Sequence, residues 1–184
     1  VLTDKITDML EFHKISFDGL KTRRNLLEGN LSYKVRTISA LMTEHADEDV
    51  ILIGDDVDKD PEVMAALSDK FPGRVLSSLI RPVRHRAGLP GQIPYVTAYD
   101  VATSELQQGR LGRLELARIM AAVLTGNKDK LFPKFTWCPT DLTGTELPTS
   151  RSTYLGAAQV QTFVETLCRE RQSGSENLPE LAAN

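Results

Sequence analysis

The first half of the chain alternates between helical and extended patterns of hydrophobic positions. Val35, Ile38 and Met42 recur at the spacing of an amphipathic helix, which predicts a helix over residues 33–46. Residues 50–53 form an unbroken aliphatic run, which is typical of a strand buried on both faces of a sheet. A helix paired with such a strand is the repeating unit of an α/β fold.

The same alternation continues after the first buried strand. Pro61 occupies a position suited to the first turn of a second helix, and residues 75–80 repeat the pattern of a buried strand. Strands joined by single helices are typically parallel and right-handed in their connection. The pattern therefore predicts an α/β fold with a parallel sheet.

The remaining segments are predicted from weaker patterns. Val1, Leu2 and Thr3 suggest the tail of a strand, followed by a helix from Asp4. Residues 81–94 carry three prolines and two glycines, which favours an irregular loop. We expect an α/β core over residues 1–110, a helical extension over 111–172 packed on that core, and a disordered tail over 173–184.

Composition excludes several classes of protein. The chain has 184 residues, of which 41% are hydrophobic and 26% charged, as in an ordinary soluble domain. Its net charge of -3 gives no basic excess, so we expect no nucleic-acid partner. No apolar run is long enough to span a bilayer. Cys138 and Cys168 lack zinc-like spacing, which favours two ordinary thiols in a reduced cytoplasm.

An acidic loop follows the first buried strand. Asp55, Asp56, Asp58 and Asp60 lie within six residues, directly before Pro61. Ligands of open α/β sheets bind at the carboxyl ends of the strands, and Mg²⁺ takes one or two protein carboxylates together with water and phosphate. The loop therefore suggests a Mg²⁺ site, although a solvated acidic turn that caps the next helix gives the same pattern.

The acidic loop also carries a family resemblance. The run Ile-Leu-Ile-Gly-Asp-Asp, followed by Asp-Pro-Glu, resembles the fourth motif of haloacid-dehalogenase-type phosphatases. That motif supplies metal ligands, so the resemblance implies that Asp55 and Asp60 bind Mg²⁺, with Asp56 beside them. It also implies a Rossmann-like, three-layer α/β/α sheet with additional C-terminal helices.

Two further residues match motifs of the same superfamily. Lys34, at the start of a predicted helix, stands where the third motif places a lysine that neutralises the nucleophile and the bound phosphate. Thr3 stands where the second motif places a hydroxyl that hydrogen-bonds the transferring phosphoryl group. Lys34 could instead be a surface lysine, and Thr3 could instead cap the first helix.

A longer stretch is similar to the actin-patch-associated phosphatidate phosphatase family. It runs over residues 50–83 and includes Phe-Pro-Gly-Arg-Val and Ile-Arg-Pro-Val, while Thr-Ala-Tyr-Asp at 97–100 is also similar. The chain departs from that family at Asp56, usually Ser, and at Met64, usually Tyr. The resemblance implies a phosphorylated small molecule or lipid as substrate.

The basic loop over residues 81–86 is a second candidate for anion binding. Arg81, Arg84, His85 and Arg86 follow the end of a predicted strand. They could meet a substrate phosphate or an anionic lipid surface, which would bring the protein into peripheral contact with a membrane. A solvated loop would have the same composition.

The family's first motif, Asp-x-Asp-x-Thr, is absent from the sequence. Its first Asp is the nucleophile, and its strand lies at the centre of the sheet. We therefore expect a missing N-terminal segment or a partner chain to supply this strand, and we expect the chain alone to be inactive. Two alternatives remain: a non-catalytic binding or scaffold protein of the same fold, and a receiver-like domain, which the order of Lys34 and the acidic loop disfavours.

Overall fold

A computed structural model gives the fold for residues 2–12, 18–23, 28–128, 136–139, 154 and 156–175. Within these ranges, six helices accompany a three-stranded parallel sheet, which confirms the predicted α/β class with a parallel sheet. The elements are α1 (Leu2–Phe12), α2 (Asn30–Glu44), β1 (Val50–Asp55), α3 (Asp60–Lys70), β2 (Val75–Arg81), β3 (Gln92–Pro94), α4 (Ala98–Gln107), α5 (Arg113–Thr125) and α6 (Ala157–Ser175).

The strands follow the order β1-β2-β3, and neighbouring strands are parallel. Asp55 at the end of β1 lies beside Arg81 at the end of β2, so both residues face the same carboxyl edge of the sheet. The third strand was not predicted, because the segment before it contains so many glycines and prolines. Pro94 is compatible with this strand since β3 is an edge strand and needs few ladder hydrogen bonds.

One hydrophobic cluster holds α2 and α3 against the sheet. Met42, Val63 and Leu67 are buried, and Leu52 of β1 packs against them. Because side chains alternate along a strand, the neighbours of Leu52 point to the opposite face. There Ile51 and Ile53 remain 42% and 57% exposed. Among the residues that the structure describes, β1 is thus an edge strand with one covered face and one open apolar face.

Arg74 fixes the carboxyl end of α2. Its guanidinium donates to the carbonyl oxygens of Met42 at 2.8 Å and His45 at 2.7 Å, and also to that of Glu48. The last carbonyl groups of a helix have no partner within the helix, so a cationic side chain that binds them stabilises its end. The arginine of the Phe-Pro-Gly-Arg-Val stretch therefore holds α2 in place beside the sheet.

A second hydrophobic cluster joins α4, α5 and α6. Its buried members are Val96, Tyr99, Ala102, Leu116, Val123, Ala157, Val160, Val164, Leu167 and Cys168. Gly156 precedes α6 with φ of 84°, a left-handed conformation that favours glycine, and it lies against the side chain of Met120 in α5.

Two sequence predictions are wrong. Leu2 and Thr3 lie in the first turn of α1 rather than at the end of a strand, because the helical pattern that follows extends back over them. Cys138 and Cys168 form a disulfide with a Cα–Cα distance of 5.6 Å, and are not free thiols. Their separation of 30 residues carries no local signal, so only the tertiary fold brings them together.

The last helix extends into the segment that was predicted to be a disordered tail, residues 173–184. α6 continues to Ser175, into the first residues of the segment expected to be disordered. Residues 176–184 lie outside the described part of the chain. No helix of the described residues combines the length and the hydropathy needed to cross a membrane.

Candidate functional site

The acidic loop spans the gap between β1 and α3 at the carboxyl edge of the sheet. Asp55 is the last residue of β1, and Asp60 is the first residue of α3. The carboxylate Oδ2 of Asp60 accepts a hydrogen bond from the backbone N–H of Asp55 at 3.3 Å. Oδ1 of Asp55 accepts one from the N–H of Val57 at 2.9 Å. The loop thereby turns back so that the carboxylate of Asp60 contacts the backbone of Asp55.

Gly54 makes this approach of Asp60 possible. A Cβ at position 54 would lie 2.5 Å from Oδ2 and 2.8 Å from Cβ of Asp60, which is closer than such contacts allow. Gly54 does not adopt a positive φ. The glycine is therefore needed for the space it leaves and not for a left-handed backbone conformation.

Helix α2 contributes a cation to the acidic loop. The ammonium of Lys34 donates a hydrogen bond to Oδ1 of Asp60 and forms an ion pair with it. One turn earlier, the amide of Asn30 donates to Oδ2 of Asp58. These two contacts join the start of α2 to the acidic loop, so the lysine and the carboxylates predicted from separate motifs lie together.

Asp56 has a different environment from its neighbours. Its side chain is 2% exposed. Oδ1 accepts hydrogen bonds from the backbone N–H groups of Val83 at 2.7 Å and Arg84 at 2.8 Å, and Oδ2 accepts one from Arg86 at 2.9 Å. Burial alone would raise the pKa of Asp56, but these N–H groups favour the anion and hold its pKa below the usual value. Asp56 is thus directed at the basic loop.

Arg86 provides a second connection between the acidic and basic loops. Its guanidinium donates to the carbonyl oxygen of Asp58 at 2.7 Å and to Oε1 of Glu62 at 2.8 Å. The hydrogen bond from Arg86 is the main reason that the pKa of Glu62 falls to about 2. The basic loop is therefore fixed to the acidic loop by side chains as well as by backbone N–H groups.

Tyr95 and Arg81 complete the carboxyl edge at β2 and β3. The guanidinium of Arg81 lies 5.0 Å from the centre of the Tyr95 ring, within range of a cation–π contact. The pKa of Tyr95 is raised, chiefly by burial, with Arg81 lowering it and the nearby Asp55 and Asp60 raising it. Sequence reasoning missed Tyr95, since a single tyrosine after a short strand carries no distinctive pattern.

Two cavities open beside the exposed Ile53 of β1. One, of about 320 Å³, is bordered by Lys34 and Asp60 together with apolar residues of α2 and α3. The other, of about 360 Å³, is bordered by Arg81 and Tyr95 and by apolar residues of α4 and α5. Ile53 therefore borders both cavities, and Asp60 lines the first of them.

The predicted site residues thus fall into three groups. Lys34, Asp55 and Asp60 lie together, whereas Asp56 faces the basic loop. The backbone of Thr3 lies in α1, and its side chain lies outside the described part of the structure, so its role stays a prediction. Within the described ranges, no group of three or more His, Cys, Asp or Glu side chains could hold a metal ion.

Comparison with known proteins agrees with the resemblance seen in the sequence. Residues 7–82 match the family model described as the catalytic domain of phosphatidate phosphatase APP1. The matched stretch contains Lys34, the acidic loop and the start of the basic loop, but not Thr3 or Tyr95. No curated protein and no solved structure matches the chain.

Proposed function

We propose that this chain forms part of the catalytic domain of a Mg²⁺-dependent phosphatase of the haloacid-dehalogenase type. We propose phosphomonoesters as its substrates, with phosphatidate as the first candidate. The observation that supports this most is the grouping of Lys34, Asp55 and Asp60 at the carboxyl edge, within the stretch that matches the phosphatidate phosphatase family. This edge is where open α/β sheets bind their ligands.

Lys34 is suited to stabilise a phosphoryl group. Asp60 holds its ammonium at the edge of the sheet, and the other end of that carboxylate is fixed by the backbone of Asp55. A cation held in place before the reaction neutralises the charge on a phosphoryl group without further reorganisation. The role that we propose for Asp60 includes this orientation of Lys34.

The donor set fits a Mg²⁺ ion held by few protein ligands. Asp55 ends β1, and the carboxylate of Asp60 binds its backbone N–H; Mg²⁺ commonly binds one or two carboxylates while retaining water and substrate phosphate. Asp56 fits less well than these two as a ligand, because it is buried and three backbone N–H groups bind its oxygens, whereas Asp55 and Asp60 each accept one backbone N–H. We therefore propose Asp55 and Asp60 as ligands of the ion, which when bound would neutralise phosphate oxygens.

The nucleophile that we propose comes from a strand added at the free edge of β1. This edge has no partner among the described residues, and Ile51 and Ile53 leave an apolar face beside it. Unpaired strand edges are suited to accept a further strand. An Asp on that strand would attack phosphorus, release the alcohol and form an aspartyl-phosphate, which water would then hydrolyse to free inorganic phosphate.

If the substrate is a lipid, the protein must reach a membrane surface, and the basic loop is suited to contact one. Arg84 is exposed on the basic loop. A cationic side chain at this place would favour an anionic membrane surface, so we propose peripheral contact with a membrane during turnover. A cytoplasmic location was expected from the cysteines, but the Cys138–Cys168 disulfide instead favours an oxidising compartment.

Metal binding by the chain itself tests the proposal without relying on turnover. Mn²⁺ can be titrated as a paramagnetic substitute for Mg²⁺, with the free ion measured by electron paramagnetic resonance. We expect one bound ion, lost in Asp55→Asn and Asp60→Asn but kept in Asp69→Asn, an exposed carboxylate of α3. Binding that is unchanged in both site variants would contradict the proposed ligands.

A non-catalytic binding or scaffold protein is the second candidate. The absence of a three-ligand metal cluster within the described ranges is the observation that favours it. A protein of this second kind would bind neither phosphate nor Mg²⁺, and the native protein would release no phosphate from any monoester.

A further inference from the structure

The basic loop is held from a second side by a segment far away in the sequence. The backbone N–H of Trp137 donates to the carbonyl oxygen of Pro82 at 2.9 Å. The indole ring of Trp137 stacks on the ring of His85, with centroids 3.6 Å apart and planes 12° from parallel. His85 has a φ of 53°, a left-handed conformation that non-glycine residues adopt only when their surroundings hold them there.

The segment 136–139 is itself fixed to α6. Cys138 is bonded to Cys168, which is fully buried in the helical cluster. Arg171 donates to the carbonyl oxygen of Thr136 at 2.7 Å, and Gln172 to that of Pro139 at 3.0 Å. One covalent bond and two hydrogen bonds therefore tie this short segment to a helix that packs in the core.

The basic loop thus lies between two supports. On one side Asp56 binds the N–H groups of Val83, Arg84 and Arg86. On the other side Trp137 contacts Pro82 and His85. Asp56 lies within the stretch that matches the phosphatase family, whereas the second support lies beyond it.

We propose that Trp137 is a positioning residue for the basic loop, and that the Cys138–Cys168 disulfide makes this positioning depend on the oxidation state of the two cysteines. Trp137 acts through His85 and Pro82 and not by contact with substrate. The expected effect of this positioning on phosphate binding rests on the proposed function. The positioning of the basic loop by Trp137 does not, so loop opening and phosphate binding are tested separately.

Limited trypsin digestion tests the positioning. Trypsin cleavage after Arg84 and Arg86 reports opening of the basic loop, whereas the bond after Arg81 resists trypsin because a proline follows it. Cleavage after the exposed Arg118 of α5 reports general unfolding. We expect Trp137→Ala, and the double variant Cys138→Ser with Cys168→Ser, to speed loop cleavage about tenfold relative to cleavage after Arg118. Trp137→Phe, which keeps a stacking ring, should remain within about twofold of the wild type.

A matched control is Leu114→Ala, which removes an exposed side chain of α5 and should change neither rate. Reduction of the wild-type disulfide should reproduce the effect of the double variant. Loop cleavage that stays unchanged in Trp137→Ala and in the double variant would overturn the proposal. A rise that is equal after Arg118 would also overturn it, because it would show general loss of structure.

Calorimetric titration with inorganic phosphate in the presence of Mg²⁺ tests the consequence. We expect affinity to fall about tenfold in Trp137→Ala and on reduction, and to be restored in Trp137→Phe. Equal affinity in a variant whose loop has opened would overturn the link to phosphate. If the wild type binds no phosphate, the proposed function fails, whereas the digestion still decides whether Trp137 positions the loop.

Discussion

Asp60 places its carboxylate against the backbone of Gly54, in space that any side chain at position 54 would fill. The same carboxylate binds the ammonium of Lys34 and the N–H of Asp55. Because Gly54 has no side chain, the carboxylate of Asp60 can contact both the ammonium of Lys34 and the N–H of Asp55.

The variant Gly54→Ala tests this relationship. The added methyl group must displace Asp60 and with it Lys34, so we expect the free energy of unfolding to fall by about 2 kcal/mol and Mn²⁺ binding to be lost. Urea denaturation and metal titration measure the two effects. Gly29→Ala is the matched control, because a Cβ there meets only Ser32 Oγ at 3.9 Å. Unchanged metal binding in Gly54→Ala would show that the position of Asp60 is not required.

Asp56 is expected to organise the basic loop. Asp56→Ala leaves the N–H groups of Val83, Arg84 and Arg86 without their acceptor, so we expect a loss of about 2–3 kcal/mol of stability. Amide hydrogen exchange should accelerate at these three positions first. Asp69→Asn serves as the control carboxylate. Exchange that accelerates only elsewhere would contradict this role for Asp56.

A polar contact joins the sheet to α4. Glu105 accepts hydrogen bonds from Ser77 at 2.8 Å and from Arg110 at 2.6 and 3.0 Å, and the bond from Arg110 is the main reason that the pKa of Glu105 is lowered. Arg110→Ala leaves a buried carboxylate without its cation, so we expect about 2–3 kcal/mol of destabilisation by urea denaturation.

A double variant distinguishes the loss of this ion pair from a general destabilisation by substitution. In the double variant Glu105→Gln with Arg110→Met, no buried charge remains, so part of the lost stability should return. Arg113→Ala, at an exposed position of α5, should be close to neutral. A double variant that is as unstable as the sum of Glu105→Gln and Arg110→Met, each measured singly, would contradict the coupling of Glu105 with Arg110.

Asp100 is expected to make stability depend on pH. Its carboxylate accepts hydrogen bonds from the N–H groups of Val96 and Thr97, but burial dominates and raises its pKa from 3.8 to about 6. The stabilising contribution of a group with a raised pKa is complete below pH 3.8 and is lost as the pH rises through about 6.

Asp100→Asn removes this titration. Between pH 4 and pH 7, the free energy of unfolding of the wild type should fall relative to that of the variant by on the order of 3 kcal/mol. Thermal or urea unfolding of both proteins across this range measures the difference. A constant difference would show that Asp100 keeps an ordinary pKa in the folded protein.

The disulfide predicts a simple thiol count. The chain has two cysteines, so titration of the unfolded, unreduced protein should find no free thiol, and the reduced protein should show both. Two free thiols in protein isolated under thiol-blocking conditions would instead support the reduced cytoplasm that the sequence suggested.

The parts of the structure that sequence could predict are those with local causes. The aliphatic run before Gly54 and the spacing of Val35 and Ile38 specify their own strand and helix, and the helical and strand predictions over residues 33–80 are confirmed within a few residues. The family resemblance is confirmed over residues 7–82, whereas the roles it implies for Lys34 and the acidic loop stay predictions.

The parts that sequence missed depend on contacts between distant segments. Asp56 could be distinguished from Asp55 only once the backbone of the basic loop was seen to occupy its carboxylate. The stack of Trp137 on His85 and the pairing of the cysteines have no local pattern. The three residues at the start of the chain were too few to separate a strand end from a helix start.

The most direct test of the central claim is phosphate release by the native protein that contains this chain. It should be assayed on phosphatidate in mixed micelles and on a small soluble phosphomonoester, with Mg²⁺ and with chelator, for the wild type, Asp60→Asn and Asp69→Asn. We predict Mg²⁺-dependent release by the wild type and Asp69→Asn, and a loss of at least about 100-fold in Asp60→Asn. Release that is equal in Asp60→Asn and the wild type, or absent in all three proteins, would contradict the account.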